Sequence, residues 1–295
     1  MRPAHRLAVL TAAATSVLIV FGGLVTNTGA ALAVPDWPTT FGHNMFLFPP
    51  SGMVGGVFYE HSHRLLGALV GLLTVALAVT LWRGGGRLRA LGIAAVVAVV
   101  LQGVIGGLRV VLTTDALAMV HGPFAQAFFA FVVALAVLTS PRMAQPAPAL
   151  DPATRGLTVA TAALVYLQIV FGALLTHAGY LAVHLLGATA VFVVAPMATA
   201  RLRRSGDAVA APAARLALSL LGLQLLLGAG SYLARFSAIW IPGGQLTILV
   251  LPVAHRLAGG LLLAATVVMA VRVLASALPA HALDVAPARA IGVAR

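Results

Sequence analysis

The sequence predicts an all-α polytopic membrane protein with eight transmembrane helices, arranged as two pseudo-symmetric four-helix bundles with both termini cytoplasmic. Three observations point to this fold class. Of the 295 residues, 61% are apolar and 8% are charged; the apolar residues form eight long runs, and an eleven-residue segment occurs twice. Because soluble domains carry about 25% charged residues, the composition excludes a soluble enzyme and a disordered chain. The absence of Cys excludes a disulfide scaffold.

Each apolar run is long enough to cross the hydrocarbon core of a bilayer, which takes about 20 helical residues. A helix satisfies its own backbone hydrogen bonds, as lipid requires. The first run is longer than the roughly 7–15-residue core of a signal peptide, so we expect it to be retained as a helix. In chain order, the predicted spans are residues 7–25, 61–82, 90–108, 118–139, 157–176, 181–200, 214–232 and 248–275.

The basic residues predict the orientation of these spans. All 18 are Arg, and the net charge is +12. Fourteen lie before span 1, between spans 2 and 3, 4 and 5, or 6 and 7, or at the C-terminal end, which is one side of the membrane. Positive charge concentrates on the cytoplasmic side. We therefore expect cytoplasmic termini, a multi-pass protein of the cell inner (plasma) membrane, and no nucleic-acid partner.

An internal repeat predicts how the spans are grouped. Residues 19–29 (IVFGGLVTNTG) recur as residues 169–179 (IVFGALLTHAG), with seven of eleven positions identical. A weaker pattern, Gln followed four residues later by Gly, occurs in spans 3, 5 and 7, at Gln102, Gln168 and Gln224. Ordinary close packing of helices accounts for the Gly positions equally well. The longer match indicates duplication of a four-helix unit, and parallel repeats of this kind are an established membrane architecture.

Duplication divides the chain into two halves and a tail. Residues 1–145 form the first repeat, residues 146–275 the second, and residues 276–295 a cytoplasmic tail. The first repeat differs by a long outer loop, residues 26–59, which is rich in Pro and aromatic residues. Two interpretations remain open for this loop: a folded cap or lid, and an interfacial loop with its aromatic rings at headgroup level.

Four His residues are the candidate ligands. Each even-numbered span carries one near its predicted outer end: His63, His121, His184 and His255. Ionisable side chains within a membrane usually face the bundle interior and are functional. Two facing His residues suit the axial positions of a haem iron in a helix bundle. A zinc site would need tighter clustering, usually with carboxylate or thiolate ligands. We therefore predict two haem sites, one in each half.

Charged neighbours distinguish the two halves. Glu60, the only Glu, lies one helical turn before His63, and no other ligand position has an acid there. This asymmetry predicts chemistry in the first half and electron transfer or structure in the second. The alternative for Glu60 is an interfacial ion pair with Arg64. Arg64 and Arg256 directly follow His63 and His255, and each is a candidate for binding haem propionates or for reaching a lipid phosphate.

Taken together, these features resemble the heme A synthase family. The motifs that carry the resemblance are EHSHRL at 60–65, HRL at 255–257, PDWP at 35–38 and QGxxGG at 102–107. The resemblance covers about residues 7–275. Many bacterial members have Cys pairs in their outer loops, so this chain is similar to a Cys-free type.

The resemblance implies oxidation of a ring methyl of heme O to a formyl group by successive hydroxylation, for terminal oxidase assembly. It implies that Glu60 and His63 are catalytic and that His63 and His121 hold the substrate haem. A second haem, heme b, would be held by His184 and His255 and would pass electrons. Spacing to Glu60 favours His63 over the adjacent His61 as the ligand.

The partners implied are heme O, the enzyme that produces it, an unidentified electron donor and the lipid bilayer; a homo-oligomer is compatible with the sequence. Two other functions would use the same ligands: a diheme b-type membrane electron carrier, and a haem-handling assembly protein without turnover. The single carboxylate favours the enzyme over the carrier, because a symmetrical electron carrier needs no such asymmetry.

Overall fold

The computed structural model describes residues 2–147, 150–239 and 241–275. Over these residues the protein is all-helical, with eight helices long and apolar enough to cross a membrane. The predicted all-α, eight-span fold class is confirmed. The helices are α1 Arg2–Asn27, α2 Gly56–Trp82, α3 Gly86–Leu112, α4 Asp115–Leu138, α5 Pro152–Ala178, α6 Leu181–Leu202, α7 Ala210–Phe236 and α8 Gly244–Ala275. The predicted tail, residues 276–295, lies outside the described residues.

The helices extend past most predicted spans because capping residues add polar turns to the apolar runs. The side chain of Asp151 accepts a hydrogen bond from the backbone N–H of Thr154, and Pro152 occupies the first helical position of α5. The same helix ends at Gly179, whose φ of 77° is the left-handed conformation that Gly adopts without a steric penalty.

Both halves have the same neighbour pattern. α1 packs against α2 and α4, and α3 against α2 and α4; α5 packs against α6 and α8, and α7 against α6 and α8. Contacts between the halves run from α8 to α1 and α4, and from α4 to α5. α8 is the most buried of the eight helices. The side chains that matter for the site below lie on the facing surfaces of α1–α2, α3–α4, α5–α6 and α7–α8.

A buried ion pair fastens the end of the bundle that carries the N-terminus. Arg272 of α8 donates from Nε to Asp207 at 2.9 Å, and both side chains are almost fully buried. The same guanidinium donates to the backbone oxygens of Met143, Gln145 and Pro146 in the α4–α5 connection. Burial acts to raise the pKa of Asp207, but the hydrogen bond from Arg272, together with those from the backbone N–H groups of Ala210 and Val209, outweighs burial, so the pKa is lowered. Asp207 lies in the α6–α7 connection. Arg272 therefore joins the α4–α5 and α6–α7 connections to α8.

The opposite end of the bundle, called the loop end here, is covered by the segment between α1 and α2. This segment contains two short 3₁₀ turns, Met45–Leu47 and Pro50–Gly52. The ring of Trp37 lies directly on Gly107 of α3, where any side chain would collide with it. Of the two interpretations left open for the loop, the structure shows a folded cap that packs on the helices.

Candidate functional site

The first predicted ligand pair comes together at the loop end. His63 lies in the second turn of α2 and His121 in the second turn of α4. Their rings face each other with centroids 6.5 Å apart and planes inclined by 69°. The Nδ1 atoms of both rings are buried without a hydrogen-bond partner in the described part of the chain. An unpartnered imidazole nitrogen is what a metal ion requires of a His ligand.

The second pair repeats the spacing of the rings, and among the described residues Nδ1 of His255 is again without a hydrogen-bond partner, whereas Nδ1 of His184 contacts Gln168. His184 in α6 and His255 in α8 have ring centroids 6.3 Å apart and planes inclined by 73°. An iron ion bound to two imidazoles, with bonds of about 2 Å, would hold the ring centroids roughly 6 Å apart. Both pairs therefore fit two-point axial ligation. Within the described residues, no group of three or more His, Cys, Asp or Glu is placed to hold a metal ion, as a zinc site would require.

Each ring lies against a glycine on the preceding helix. A Cβ built on Gly106 would lie 2.8 Å from Cε1 of His121, which is closer than atoms pack in a folded core. The corresponding distances at the other three rings are 3.1 Å for Gly22 and His63, 3.4 Å for Gly172 and His184, and 3.0 Å for Gly228 and His255. These glycines leave room for the imidazoles, so close packing of backbones is not their only role.

Three glutamines contact three of the rings, and the sequence did not predict these contacts. Nε2 of Gln102 donates to the backbone oxygen of His121 at 3.0 Å and lies 3.3 Å from its ring Nε2. Nε2 of Gln168 also donates to the backbone oxygen of His184, at 2.9 Å, but it lies nearer to the other ring nitrogen, 3.1 Å from Nδ1 and 3.4 Å from Nε2. Gln224 lies 3.3 Å from Nε2 of His255. The sequence feature that could have indicated these contacts is the spacing of Gln and Gly in spans 3, 5 and 7.

Glu60 and Arg64 form a buried ion pair that holds the loop. Nη2 of Arg64 donates to Oε1 of Glu60 at 3.0 Å, and Oε2 of Glu60 accepts the backbone N–H of Val34 at 2.9 Å. Arg64 also donates to the backbone oxygens of Val34, Asp36 and Thr39. Its two terminal nitrogens thus make four hydrogen bonds within the protein. Its predicted binding of haem propionates remains a prediction, made less favourable by these contacts.

The side chain of His61, on α2, contacts the loop between α1 and α2 and is not part of the ligand pair. Its ring is buried, lies 3.1 Å from the hydroxyl of Thr40 through Nδ1, and packs against Phe48 with centroids 5.1 Å apart. In the structure it is therefore His63, and not His61, that faces His121.

Asp36 organises the tip of the same loop. Its carboxylate accepts the backbone N–H groups of Phe41 and Gly42, each at 2.8 Å, and the hydroxyl of Thr39. Burial by itself acts to raise the pKa of Asp36, but the hydrogen bonds from Gly42, Thr39 and Phe41 outweigh it and lower the pKa to about 2. The loop is thus pre-organised around one ionised carboxylate.

Two further arginines differ in their surroundings. Nη1 of Arg256 donates to the backbone oxygen of Gly22 at 3.4 Å and to the hydroxyl of Thr26 at 3.3 Å, so it reaches across to α1. Arg109, in the last turn of α3, is close enough for its charge to act on both His63 and His121, and no hydrogen bond of its side chain is seen among the described residues. Arg109 is therefore the more available cation beside the first pair.

Comparison with known proteins adds to this geometry. The model of a family described as cytochrome oxidase assembly protein (COX15-CtaA) matches residues 5–181. A heme A synthase of Shouchella clausii is 33% identical over 180 residues, which is 58% of each chain. A heme A synthase of Alkalihalophilus pseudofirmus is 30% identical over 135 residues, 44% of each chain, and one of Halalkalibacterium halodurans is 27% identical over 175 residues, 57% of each chain. The match thus spans about half the length of these curated relatives.

Proposed function

The chain belongs to the cytochrome oxidase assembly protein family, and from that premise we propose that it is a heme A synthase. It would oxidise a ring methyl of heme O to a formyl group by successive hydroxylation, for terminal oxidase assembly. The observation that carries the proposal is an asymmetry between two otherwise matched His pairs. Only the first pair has a buried carboxylate, Glu60, one helical turn from a ligand, His63.

The two pairs divide the haem-binding roles. His63 and His121 would hold the substrate, heme O, and His184 and His255 would hold heme b. The ring spacings of 6.5 and 6.3 Å support the binding of one iron ion by the two His residues of each pair. When bound, heme b supplies one-electron transfer. The remaining steps depend on what this chain's own side chains do around the substrate.

Glu60 is suited to act on charge or protons at the first pair. Its two carboxylate oxygens are held by the backbone N–H of Val34 and by Arg64, so its orientation is set before substrate binds. A fixed carboxylate stabilises positive charge that develops nearby, and it can accept a proton that the reaction releases. The loop that Glu60 anchors covers the same end of the bundle, and in this position it would keep water from the substrate.

The propionates of the substrate require cationic partners. Arg64 and Arg256 are the residues predicted from the sequence, and both make hydrogen bonds within the protein. Arg109 lies near both rings of the first pair. Because a guanidinium matches a carboxylate in geometry and charge, Arg109 is the strongest candidate at that pair, with Arg256 the candidate at the second pair.

We also propose a membrane location, an orientation and partners for the protein. Two four-helix repeats, residues 1–145 and 146–275, would lie in the cell inner (plasma) membrane with both termini cytoplasmic. Heme O would come from the enzyme that produces it, and electrons would be exchanged with a separate redox partner. The distribution of Arg along the chain supports this orientation.

The decisive experiment is pigment analysis after coexpression with a heme O source in a host that lacks heme A. We expect heme A or its hydroxylated precursor with the unaltered protein, and neither product with Glu60→Ala. Asp115→Asn, which changes an exposed acid in the first turn of α4, is the matched control and should form product. If Glu60→Ala still forms product, Glu60 does not have the proposed role.

A diheme b-type electron carrier is the second candidate, favoured by the near-identical geometry of the two pairs. The same experiment separates the two functions, because a carrier, like a haem-handling protein without turnover, would bind haem and leave heme O unchanged. Two bound haems without hydroxylated or formyl product, with electron donors supplied, would therefore exclude the synthase.

A further inference from the structure

A cavity with a basic lining opens at the end of the bundle that carries the N-terminus. Its volume is about 510 Å³, within the range of about 300–1,000 Å³ that is usual for small-ligand sites. The first turns of α1 form one wall, and the start of the short 3₁₀ turn Pro141–Ala144, after α4, forms the other. None of the lining residues belongs to either His pair. They are Arg2, His5, Arg6, Ser140, Pro141 and Arg142.

Three guanidinium groups at this cavity have no anion beside them in the part of the chain that the structure describes. Arg2, Arg6 and Arg142 are exposed, no carboxylate is among the described residues that line the cavity, and the two ion pairs described above lie elsewhere. Like charges around one cleft repel each other and concentrate counter-ions there. The lining therefore calls for an anionic ligand.

Both walls of the cavity are held in place by contacts that do not use these guanidinium groups. Nδ1 of His5 lies 2.8 Å from the backbone oxygen of Ala136, and because a carbonyl oxygen only accepts, Nδ1 is the donor. This bond ties the start of α1 to the end of α4. On the other wall, Arg272 of α8 donates to the backbone oxygen of Met143, the residue after Arg142. The cavity is thus formed before an anion binds, which lowers the entropic cost of binding.

An apolar surface continues from the cavity along α1. Arg2, Arg6 and Leu10 are spaced four residues apart, so they lie on one face of the helix. Val9 and Leu10 are 48% and 52% exposed, and Val17, two turns further along, is 47% exposed. A cationic end followed by an uncovered apolar face matches the order of groups in a phospholipid, in which acyl chains follow the phosphate. A soluble phosphate compound would make no use of this face, so the face favours a lipid.

We propose that the cavity binds the phosphate group of an anionic phospholipid, with Arg6 of α1 and Arg142 of the 3₁₀ turn as its main partners. A guanidinium offers two parallel N–H donors to phosphate oxygens, which makes the contact both strong and directional. Basic pockets on the cytoplasmic side of membrane proteins bind anionic headgroups, and the distribution of Arg predicts that this end is cytoplasmic. A zwitterionic headgroup fits less well, because its own cation would meet the arginines.

The test counts the lipids bound to the full-length protein in detergent by native mass spectrometry, during titration with phosphatidylglycerol or phosphatidylcholine. We expect one phosphatidylglycerol site that is tighter than any phosphatidylcholine site. An arginine near anionic headgroups contributes about 5-fold in affinity, so Arg6→Gln with Arg142→Gln should weaken this site roughly 25-fold. Arg203→Gln with Arg204→Gln removes the same charge from exposed positions in the α6–α7 connection, at the same end of the bundle. This control should bind phosphatidylglycerol as the unaltered protein does.

Glycerol 3-phosphate, which has a phosphate but no acyl chains, distinguishes a soluble source of the phosphate from a lipid. We expect it to leave the thermal unfolding temperature unchanged. If it raises that temperature in the unaltered protein and not in the double variant of Arg6 and Arg142, the cavity binds a soluble phosphate compound and the assignment to a lipid is overturned.

Two other results would overturn the site itself: equal affinities for the two lipids, or an unchanged phosphatidylglycerol affinity in the double variant of Arg6 and Arg142. Should that variant fail to fold, Arg142→Gln alone decides, with an expected loss of about 5-fold. Haem loading should be the same in all of these proteins, because the cavity contains no His of either pair. A failure of the proposed function therefore leaves the lipid measurement unaffected.

Discussion

Arg256 of α8 donates a hydrogen bond from Nη1 to the backbone oxygen of Gly22 in α1, 3.4 Å away. Arg256 directly follows His255, a ligand of the second pair, and Gly22 makes room for His63, a ligand of the first. A single side chain therefore connects the surroundings of the two pairs across the boundary between the halves. This connection is short compared with the covalent path, since 234 positions separate the two residues along the chain.

Replacing Arg256 with Gln should affect the second pair more than the first. The positive charge near His255 favours the reduced form of a haem bound there, so its removal should lower the midpoint potential of that haem. Loss of the charged hydrogen bonds should also cost about 1–3 kcal/mol in stability. Redox titration and thermal unfolding measure the two effects. Arg204→Gln, an exposed change near the N-terminal end of the bundle, is the control, and an unchanged potential in Arg256→Gln would contradict the prediction.

Alanine substitutions of the four glycines should weaken haem binding in the order of their clearances. Gly106→Ala places a Cβ 2.8 Å from His121, whereas Gly172→Ala leaves 3.4 Å to His184, an ordinary contact. Overpacking costs about 1–3 kcal/mol, which corresponds to roughly 5- to 150-fold in affinity. We expect a loss in this range for Gly106→Ala and little change for Gly172→Ala.

Haem content after purification measures the effect of these glycine substitutions. Gly103→Ala is the matched control on the same helix, because its Cβ meets no atom within 4 Å. Equal haem content in the Gly106→Ala and Gly103→Ala proteins would show that the ring does not depend on this clearance.

The packing of the loop should depend on pH through Asp36. Its pKa is lowered from 3.8 to about 2, so the ionised form stabilises the folded loop. This stabilisation is complete above about pH 4 and is lost as the pH falls through 2. Proteolysis of the loop and the fluorescence of Trp37 should report loosening over that interval. Asp36→Asn should loosen the loop already at neutral pH and show no further transition between pH 4 and 2; a transition that persists in this variant must belong to another group.

Each ligand pair should account for one haem. His184→Ala should lose one b-type spectral component while the first pair still binds haem, and His63→Ala should lose the other, because the pairs lie in separate halves. Pyridine haemochrome analysis of the purified variants gives the number of haems per chain. Spectra that do not change in His184→Ala would rule out the two-site arrangement.

The ion pair of Arg272 and Asp207 should be more important for stability than any exposed charge. Removing one partner leaves the other buried and unpaired, which costs about 3–5 kcal/mol. Arg272→Met should therefore unfold at a clearly lower temperature. The double variant Arg272→Met with Asp207→Ala should recover part of the loss, because the unpaired charge is gone; a double variant less stable than Arg272→Met would argue against this explanation.

Features that depend on neighbouring residues in the chain could be predicted from the sequence, whereas features that depend on contacts between distant residues could not. All eight predicted spans correspond to helices, and the helix ends differ by at most five residues. The thickness of the bilayer sets the length of apolar run that a spanning helix needs. Because that length is a local property of the chain, it can be found from the sequence alone. The pairing of His63 with His121, and of His184 with His255, could also be anticipated, because the repeat and the depth in the membrane limit the choices.

The orientations of side chains could not be anticipated in the same way. The binding of Arg64 to the loop depends on the path of the chain between Val34 and Thr39, which apolar periodicity does not describe. The role of the glutamines depends on the rotation of each helix about its axis, and every apolar face of a membrane helix satisfies lipid equally well. Only the packing of the helices against one another determines which face of each glutamine-bearing helix contacts a His ring.

The sequence by itself therefore determined the class of protein, the number of helices, and the four His residues with their single acidic neighbour. Only the tertiary structure decided which groups surround them: a glycine against each ring, a glutamine beside three of the rings, and Leu18 in the corresponding place beside the fourth. The physical reason is that membrane insertion follows summed hydrophobicity along the chain, whereas the restraint on a ligand ring depends on contacts between helices, made by atoms far apart in the sequence.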